Sequence, residues 1–471
     1  MEKVLKIFKQ ISTIPRCSGN CNGIIEWLKV WAKDRNYNYI NDGQGNIVIQ
    51  IPASEGREAD VGIILQSHVD MVCQKDKNIK FDFNKDSIQL ITDGDWLTAK
   101  GTTLGADNGI GMAISLLIAD DNQISKPSLE LLFTSDEEIG LISASKLSSN
   151  LLTGKLLINL DSEDDGVFTV GCAAAIRSDI EKTFQLCSVP ANFSAVRIKI
   201  EGGKGGHSGI DINKNRANSL LELIRFIDFL EMDLFFSEIS GGNADNAIPR
   251  EAECLIFTKD TSKVERKAGD FQEILQNEYS QTDPNLRLTS EVQKTNLPKA
   301  LSIKDSKRLV DIINLFPNGV YKMIPNLNNK IQTSTNVGIL NLTNGRLQVT
   351  ELTRSTVESE TKFVTSKIKI LARFLDAKIN QNKNYPPWNQ DLNNNFLTRA
   401  CKIYEMKMKR KPEIEITHGG LECAIIGKKY PDLKMISIGP TIVASHSPSE
   451  KVFLPSIKNV YGYLTELLKE I

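Results

Sequence analysis

Between residues 24 and 170 the apolar positions alternate between helical spacing and short unbroken runs. Ile24 to Arg35, Gly109 to Asp120 and Glu138 to Leu147 carry the helical period, whereas Asn46 to Ile51, Gly62 to Ser67, Leu129 to Thr134 and Lys155 to Asp161 predict strands. Strands that are apolar on both faces and separated by helices predict a mostly parallel sheet between helix layers. The pattern returns near the C-terminus, with helices predicted over Asn395 to Met406, Leu421 to Lys428 and Leu454 to Leu468, and a strand over Lys434 to Ile438. At the N-terminus, Met1 to Ser12 predicts a short amphipathic helix with Val4, Leu5, Phe8 and Ile11 on one face.

Between the two blocks the pattern changes. A strand over Ala195 to Glu201 leads through a Gly-rich loop into a helix over Arg216 to Leu230, followed by a strand near Glu251 to Thr258, a helix over Lys263 to Glu278 and a strand over Leu286 to Val292. A second run follows: helix Lys304 to Leu315, strands Val337 to Leu342 and Leu347 to Leu352, and helix Glu358 to Leu375. Asn344 and Gly345 predict a two-residue hairpin turn between the last two strands. The expected fold class is α/β: a mostly parallel sheet between helices, interrupted by an inserted α+β domain of two antiparallel-sheet lobes. Residues 1–177 and 391–471 then form the outer domain and 178–390 the insertion, with Asn380 to Trp388 as the return linker.

Composition narrows the function classes. A chain of 471 residues, 41% hydrophobic and 24% charged, is globular and long enough for two or three domains. Lys plus Arg number 57 against 58 for Asp plus Glu, so no net field recruits nucleic acid or an anionic membrane. No run is apolar enough to span a bilayer and no export signal is read, which makes the cytosol the expected compartment. The eight cysteines lack zinc-finger spacing and are read as reduced thiols.

The candidate chemistry lies at strand ends and in loops. Of four histidines (His68, His207, His418 and His446), His68 ends a predicted strand and is followed two residues later by Asp70, a carboxylate on the same side. Other predicted strands end in Asp136, Glu137, Glu138 and in Asp161. Such buried carboxylates repel one another unless a cation lies between them. The loop GTTLGADNGIG (101–111) sets Asp107 before a helix, among glycines that allow close backbone approach. A helix N-cap is the ordinary reading of Asp107 or Asn108, and the glycines match neither a P-loop nor a dinucleotide fingerprint. Together with His446 these groups form a nitrogen-and-oxygen set suited to zinc, manganese or cobalt.

SHVDMV (67–72), GTTLGADNGIGMA (101–113), FTSDEEIG (133–140), INLDSED (158–164), GGHSGIDI (205–212), DNAIPREA (245–252), LTRS (352–355), HGGLECAIIGKKYP (418–431) and GPTIVASHSPSEKV (439–452) resemble the two-zinc M20 metallopeptidases. Within these the chain is most similar to the cytosolic aminoacyl-histidine (Xaa-His) dipeptidases, also called peptidase D. The resemblance implies two Zn2+ per subunit, with Co2+ or Mn2+ as substitutes. His68, Asp107 and Asp161 would hold one ion, and Asp107, Glu138 and His446 the other. It further implies Asp70 as the carboxylate orienting His68, Glu137 as the general base, and a hydroxide bridging the ions as nucleophile. His207 would be the lid histidine that stabilises the oxyanion. Arg354, with Asn246 and Gly420 as secondary candidates, would bind the substrate's terminal carboxylate.

An Asp at position 161 resembles the aminopeptidase and dipeptidase branch rather than the carboxypeptidases. The implied activity is hydrolysis of unblocked dipeptides, Xaa-His and β-alanyl-His types included, by a di-zinc catalytic domain with an inserted lid. The expected partner is the dipeptide, with no nucleic acid and no membrane, in a homodimer. Alternatives are another M20 hydrolase, such as a tripeptidase or N-acyl amino acid deacylase, or an inactive metal- or peptide-binding module. His418 and Glu422 lie in these motifs without an assigned role.

Overall fold

The computed structural model describes residues 1–294, 299–325, 327, 329–389 and 392–471. It divides into two compact units, one made of Met1–Cys172, Trp388–Thr417 and Leu421–Ile471, the other of Ala173–Pro387 and His418–Gly420. The first division therefore precedes residue 178, because Ala174–Thr183 is a strand of the second unit's sheet. The return boundary read at 390/391 lies outside the described residues.

The first unit is built on an eight-stranded sheet. Its central strands, Leu129–Thr134, Ile63–His68, Leu156–Asn159 and Lys434–Ser437, lie side by side and parallel. Ile63–His68 and Leu129–Thr134 are buried along their whole length, as a sheet covered on both faces requires. One face packs on Ala106–Asp120, on Leu454–Glu470 and on Glu2–Ile11, whose buried side is Val4, Phe8 and Ile11. The other face meets Glu422–Lys429 through Ile64, Leu132, Leu157, Cys423 and Ile426. Glu138 to Leu147 is not a full helix: only Ile142–Lys146 is helical, after positive φ at Asp136 and Leu141 turns the chain. The reading of all eight cysteines as thiols is also corrected. Cys17 pairs with Met71 in a backbone bridge, which brings Cys17 and Cys73 to a Cα separation of 5.7 Å, and the two form a disulfide.

The second unit carries a nine-stranded antiparallel sheet. Its two halves, Arg287–Gln293 through Phe235–Gly241 and Ile331–Thr343 through Lys378–Tyr385, correspond to the two lobes expected. They are joined edge to edge, where Ile239, Ser240 and Gly241 pair with Leu342, Asn341 and Leu340. Asn344 and Gly345, both at positive φ, make the predicted hairpin. The segment read as a linker from Asn380 is instead an edge strand, Lys378–Tyr385, paired with Ala174–Thr183. An edge strand tolerates polar side chains, which is why KINQNKNY lacks the apolar signal. Helices Ser219–Phe229, Thr261–Tyr279, Ile303–Asn314 and Glu358–Phe374 share this unit's core with the sheet. Among the described residues, no helix is long and apolar enough to cross a membrane.

Candidate metal centre and active site

Three neighbouring parallel strands deliver their carboxyl ends to one place. His68 is the last residue of its strand and lies in register with Thr134, four residues before Glu138, while Asp161 follows Leu156–Asn159 by two residues. The ends of adjacent parallel strands are where α/β sheets gather sites.

The side chains converge on Asp107. His68 Nε2 lies 3.0 Å from Asp107 Oδ1 and 3.1 Å from Asp161 Oδ1. His446 Nε2 lies 3.2 Å from Asp107 Oδ2 and 2.9 Å from Glu138 Oε2. Each imidazole nitrogen thus faces two carboxylates, and Asp107 gives one oxygen to each triplet. One N–H cannot point along both lines, whereas a divalent cation accepts such an N,O,O set. The donor set fits a metal on a second count: Glu138 Oε1 is buried without a hydrogen-bond partner. His68, Asp107 and Glu138 each offer a ligand atom within 4.8 Å of the others.

Behind the donors, Asp70 is fully buried and lies 3.4 Å from His68 Nδ1. It also accepts from Ser18 Oγ at 2.8 Å and from the backbone N–H of Glu137 and Glu138 at 3.1 and 3.3 Å. One carboxylate therefore orients the imidazole and the two consecutive glutamates. Burial, with Asp107 and Glu138 adding to it against the pull of His68, pushes Asp161 up to about 6. Burial also raises Glu137 well above the carboxylate range, with Asp161, Glu422 and Glu138 adding to it against His68.

The glycines of the 101–111 loop are explained by what they touch. Gly105 sits at φ +68°, and a Cβ there would meet Arg16 Nη2 at 2.5 Å and Met71 Sδ at 2.8 Å. A Cβ on Gly111 would meet Asn108 Oδ1 at 2.0 Å, and Asn108 Nδ2 donates to Asp161 at 2.6 Å. Asp107 is not a conventional N-cap: it lies inside Ala106–Asp120 with non-helical φ and ψ, and the Asp107–Asn108 peptide is cis.

Sequence reasoning gave Glu422 no role. The structure sets it, fully buried, beneath this cluster of imidazoles and carboxylates, where Oε2 accepts from Gln66 Nε2 and Thr134 Oγ1, both at 2.6 Å. Gln66 in turn accepts from Asn159 Nδ2 at 2.5 Å, so side chains of three adjacent strands are tied one layer below the cluster. Burial pushes Glu422 up to about 7. We expect Glu422→Gln, whose amide oxygen accepts the same two hydrogen bonds, to change stability by less than about 1 kcal/mol. Glu422→Leu, which leaves Gln66 Nε2 and Thr134 Oγ1 only their longer bonds to Thr134 Oγ1 and Ser67 O at 3.3 and 3.4 Å, should cost about 1 to 3 kcal/mol. Urea unfolding of both variants measures the difference, and equal stabilities would mean that the network holds nothing in place.

His207, Asn246, Arg354 and Gly420 all fall in the second unit. His207 closes a two-residue ladder with Ala247, and its Nδ1 accepts from Gly209 N–H at 3.2 Å, which assigns the ring proton to Nε2. His207 and Asn246 line one cavity of about 730 Å3. Arg354 and Gly420 are not among its lining residues and meet elsewhere. Arg354 Nη1 donates to Tyr385 Oη at 2.9 Å, and Gly420 packs so tightly on the Tyr385 ring that a Cβ would come within 2.5 Å of it. Arg354 is 5% exposed, its Nε has no hydrogen-bond partner, and it forms no ion pair among the described residues. His418, buried beside it, binds Ser334 Oγ through Nε2 at 2.7 Å, and burial together with the Arg354 charge lowers its pKa to about 3. Sequence reading missed Ser334 and Tyr385, the latter because it ends the polar edge strand.

The chain is 38% identical to the cytosol non-specific dipeptidase of Escherichia coli, over 99% of this chain and 96% of that protein. The crystal structure of aminoacylhistidine dipeptidase from Vibrio alginolyticus superposes with a TM-score of 0.90 at 34% identity, covering 100% and 96% of the two chains. A tripeptidase from Staphylococcus aureus shares the fold alone, with a TM-score of 0.58 at 16% identity over 100% and 98%. The model of peptidase family M20/M25/M40 matches residues 64–470, from the strand that ends in His68 to the last helix. A chain that keeps both the sequence of these relatives and the strand-end cluster described above is a hydrolase, and it belongs to peptidase family M20/M25/M40.

Proposed function

We propose that the protein is a cytosolic dipeptidase that hydrolyses unblocked dipeptides, Xaa-His and β-alanyl-His among them, at a two-metal centre with Glu137 as general base. The observation that carries this reading is the division of Asp107 between two imidazoles, each with a second carboxylate. His68, Asp107 and Asp161 would hold one Zn2+, and Asp107, Glu138 and His446 the other. The likeness to a cytosol non-specific dipeptidase of Escherichia coli and an aminoacylhistidine dipeptidase of Vibrio alginolyticus supports the substrate class, and the former supports the compartment. The Cys17–Cys73 disulfide argues against a reducing compartment, so recovery of the protein outside the cytosol on cell fractionation would discard that part.

Divalent cations held by these residues would supply Lewis acidity, polarising the substrate carbonyl and making water acidic enough to attack at neutral pH. Glu137 takes the proton of the attacking water and returns it to the leaving amine nitrogen. Asp70 holds the Glu137 backbone and the His68 ring in place during that exchange. His207, with its ring proton on Nε2, is assigned to the developing oxyanion, and Arg354 to the substrate's terminal carboxylate.

The test is release of free histidine from β-alanyl-His and Ala-His by the purified protein, with added Zn2+, Co2+ or Mn2+ and with a chelator. A tripeptide and an N-acetyl amino acid run alongside. Cleavage of the dipeptides alone, abolished by chelator and restored by metal, is the expected result. Cleavage of only the tripeptide or the acetylated substrate would keep the metal centre and discard the substrate. Metal binding without any turnover would leave an inactive binding module.

A further inference from the structure

Two buried charged residues outside the proposed ligand set grip the backbone that carries it. Glu450 is 2% exposed, and its carboxylate accepts four consecutive backbone N–H groups. Oε2 takes Leu104 and Gly105 at 2.7 and 2.9 Å, and Oε1 takes Ala106 and Asp107 at 2.8 and 3.4 Å. Arg16, also 2% exposed, holds the same loop by a different group: Nη2 donates to the carbonyl of Gly105. Its Nη1 donates to the carbonyls of Val69 and Asp70, both at 2.9 Å. Three segments are thereby connected. Arg16 ties the chain just after His68 to the chain just before Asp107, and Glu450 ties that loop to the segment that presents His446 four residues earlier. The space that Gly105 leaves by lacking a side chain is the space the Arg16 guanidinium occupies.

We propose that Arg16 and Glu450 are positioning residues for the two-metal centre, which set the Asp107 carboxylate between His68 and His446 before any metal arrives. The inference rests on the two-metal reading above. Neither residue is a ligand, and both act through backbone. A carboxylate supplies acceptors only, so it satisfies four converging N–H groups, whereas an amide in the same place turns an N–H2 toward two of them. A guanidinium has donors enough to reach three carbonyls on two segments, and the single ammonium of lysine does not span that separation. Outer groups of this kind typically govern metal affinity by 10- to 100-fold.

The experiment titrates the metal-free full-length protein with Co2+, followed by its visible absorption and by competition with a chromophoric chelator, for wild type, Glu450→Gln and Arg16→Lys. Wild type should bind two equivalents. Each variant should bind Co2+ at least 10-fold more weakly with an altered band, and excess metal should return most of kcat with KM unchanged. A purely structural role predicts a lower melting temperature of the metal-free protein with wild-type Co2+ affinity and spectrum, and that result would overturn the proposal. If Glu450→Gln does not fold, Arg16→Lys decides the question by the same readouts. Wild type that binds no Co2+ would remove the two-metal reading and this inference with it, whereas normal wild-type binding with normal variants would remove only the inference.

Discussion

Glu137→Gln should lower kcat by about 10^2- to 10^4-fold, the range for loss of a general base, while the protein keeps both metal ions. The reason lies in how the chain separates two adjacent glutamates. Asp136, at positive φ, turns the backbone at the end of Leu129–Thr134, and Asp70 then binds the N–H groups of residues 137 and 138 with its two oxygens. Glu138 reaches His446 at 2.9 Å and is therefore placed in the proposed ligand set. Glu137 makes no such contact and is assigned the proton. The amide of glutamine preserves size and backbone but cannot accept a proton from water. Metal content by elemental analysis separates the roles: Glu137→Gln should retain two ions per chain, and Glu138→Gln should lose one. Normal turnover by Glu137→Gln would remove it from the mechanism, and loss of metal would make it a ligand.

That contrast also shows what could be read from sequence and what could not. The strands that lead to His68, Glu138 and Asp161 are short and mostly apolar, and these side chains lie at a strand end or within four residues of one, so the hydrophobic pattern set them near strand ends. Lys378–Tyr385 left no such trace, because it is mostly polar and backbone pairing defines it, whereas Glu413–Thr417, where Ile414 and Ile416 alternate with polar residues, is a short strand that the reading passed over. The edge-to-edge union of the two antiparallel halves depends on three residue pairs at Gly241 and was equally invisible. At the site, residue type and motif pointed to the residues proposed as metal donors and to Arg354. Arg16, Glu422 and Glu450 were overlooked for a physical reason. Their partners are backbone groups or neutral side chains distant in sequence, and no spacing rule connects residue 450 to residue 104.

Arg354→Ala should reduce kcat/KM for dipeptides by about 10^2- to 10^4-fold, in line with the roughly 3 to 5 kcal/mol lost when one partner of a buried ion pair is removed. A guanidinium buried to this degree without a carboxylate partner among the described residues is costly in the protein alone, and its Nε finds no hydrogen-bond partner there. Tyr385 and the His418 carbonyl, at 2.9 and 3.4 Å, fix Nη1 but do not neutralise the charge. His418 does not add to it: with its pKa near 3 the ring is neutral at working pH. An incoming carboxylate is the group this arrangement lacks, and an unblocked dipeptide carries one at its C-terminus. The assignment can be isolated by amidating the substrate instead of the protein. Wild type should lose the same factor on Ala-His amide as Arg354→Ala loses on Ala-His, and the variant should then be indifferent to amidation. A variant that still discriminates the amide from the acid by the wild-type factor would place carboxylate recognition at another residue.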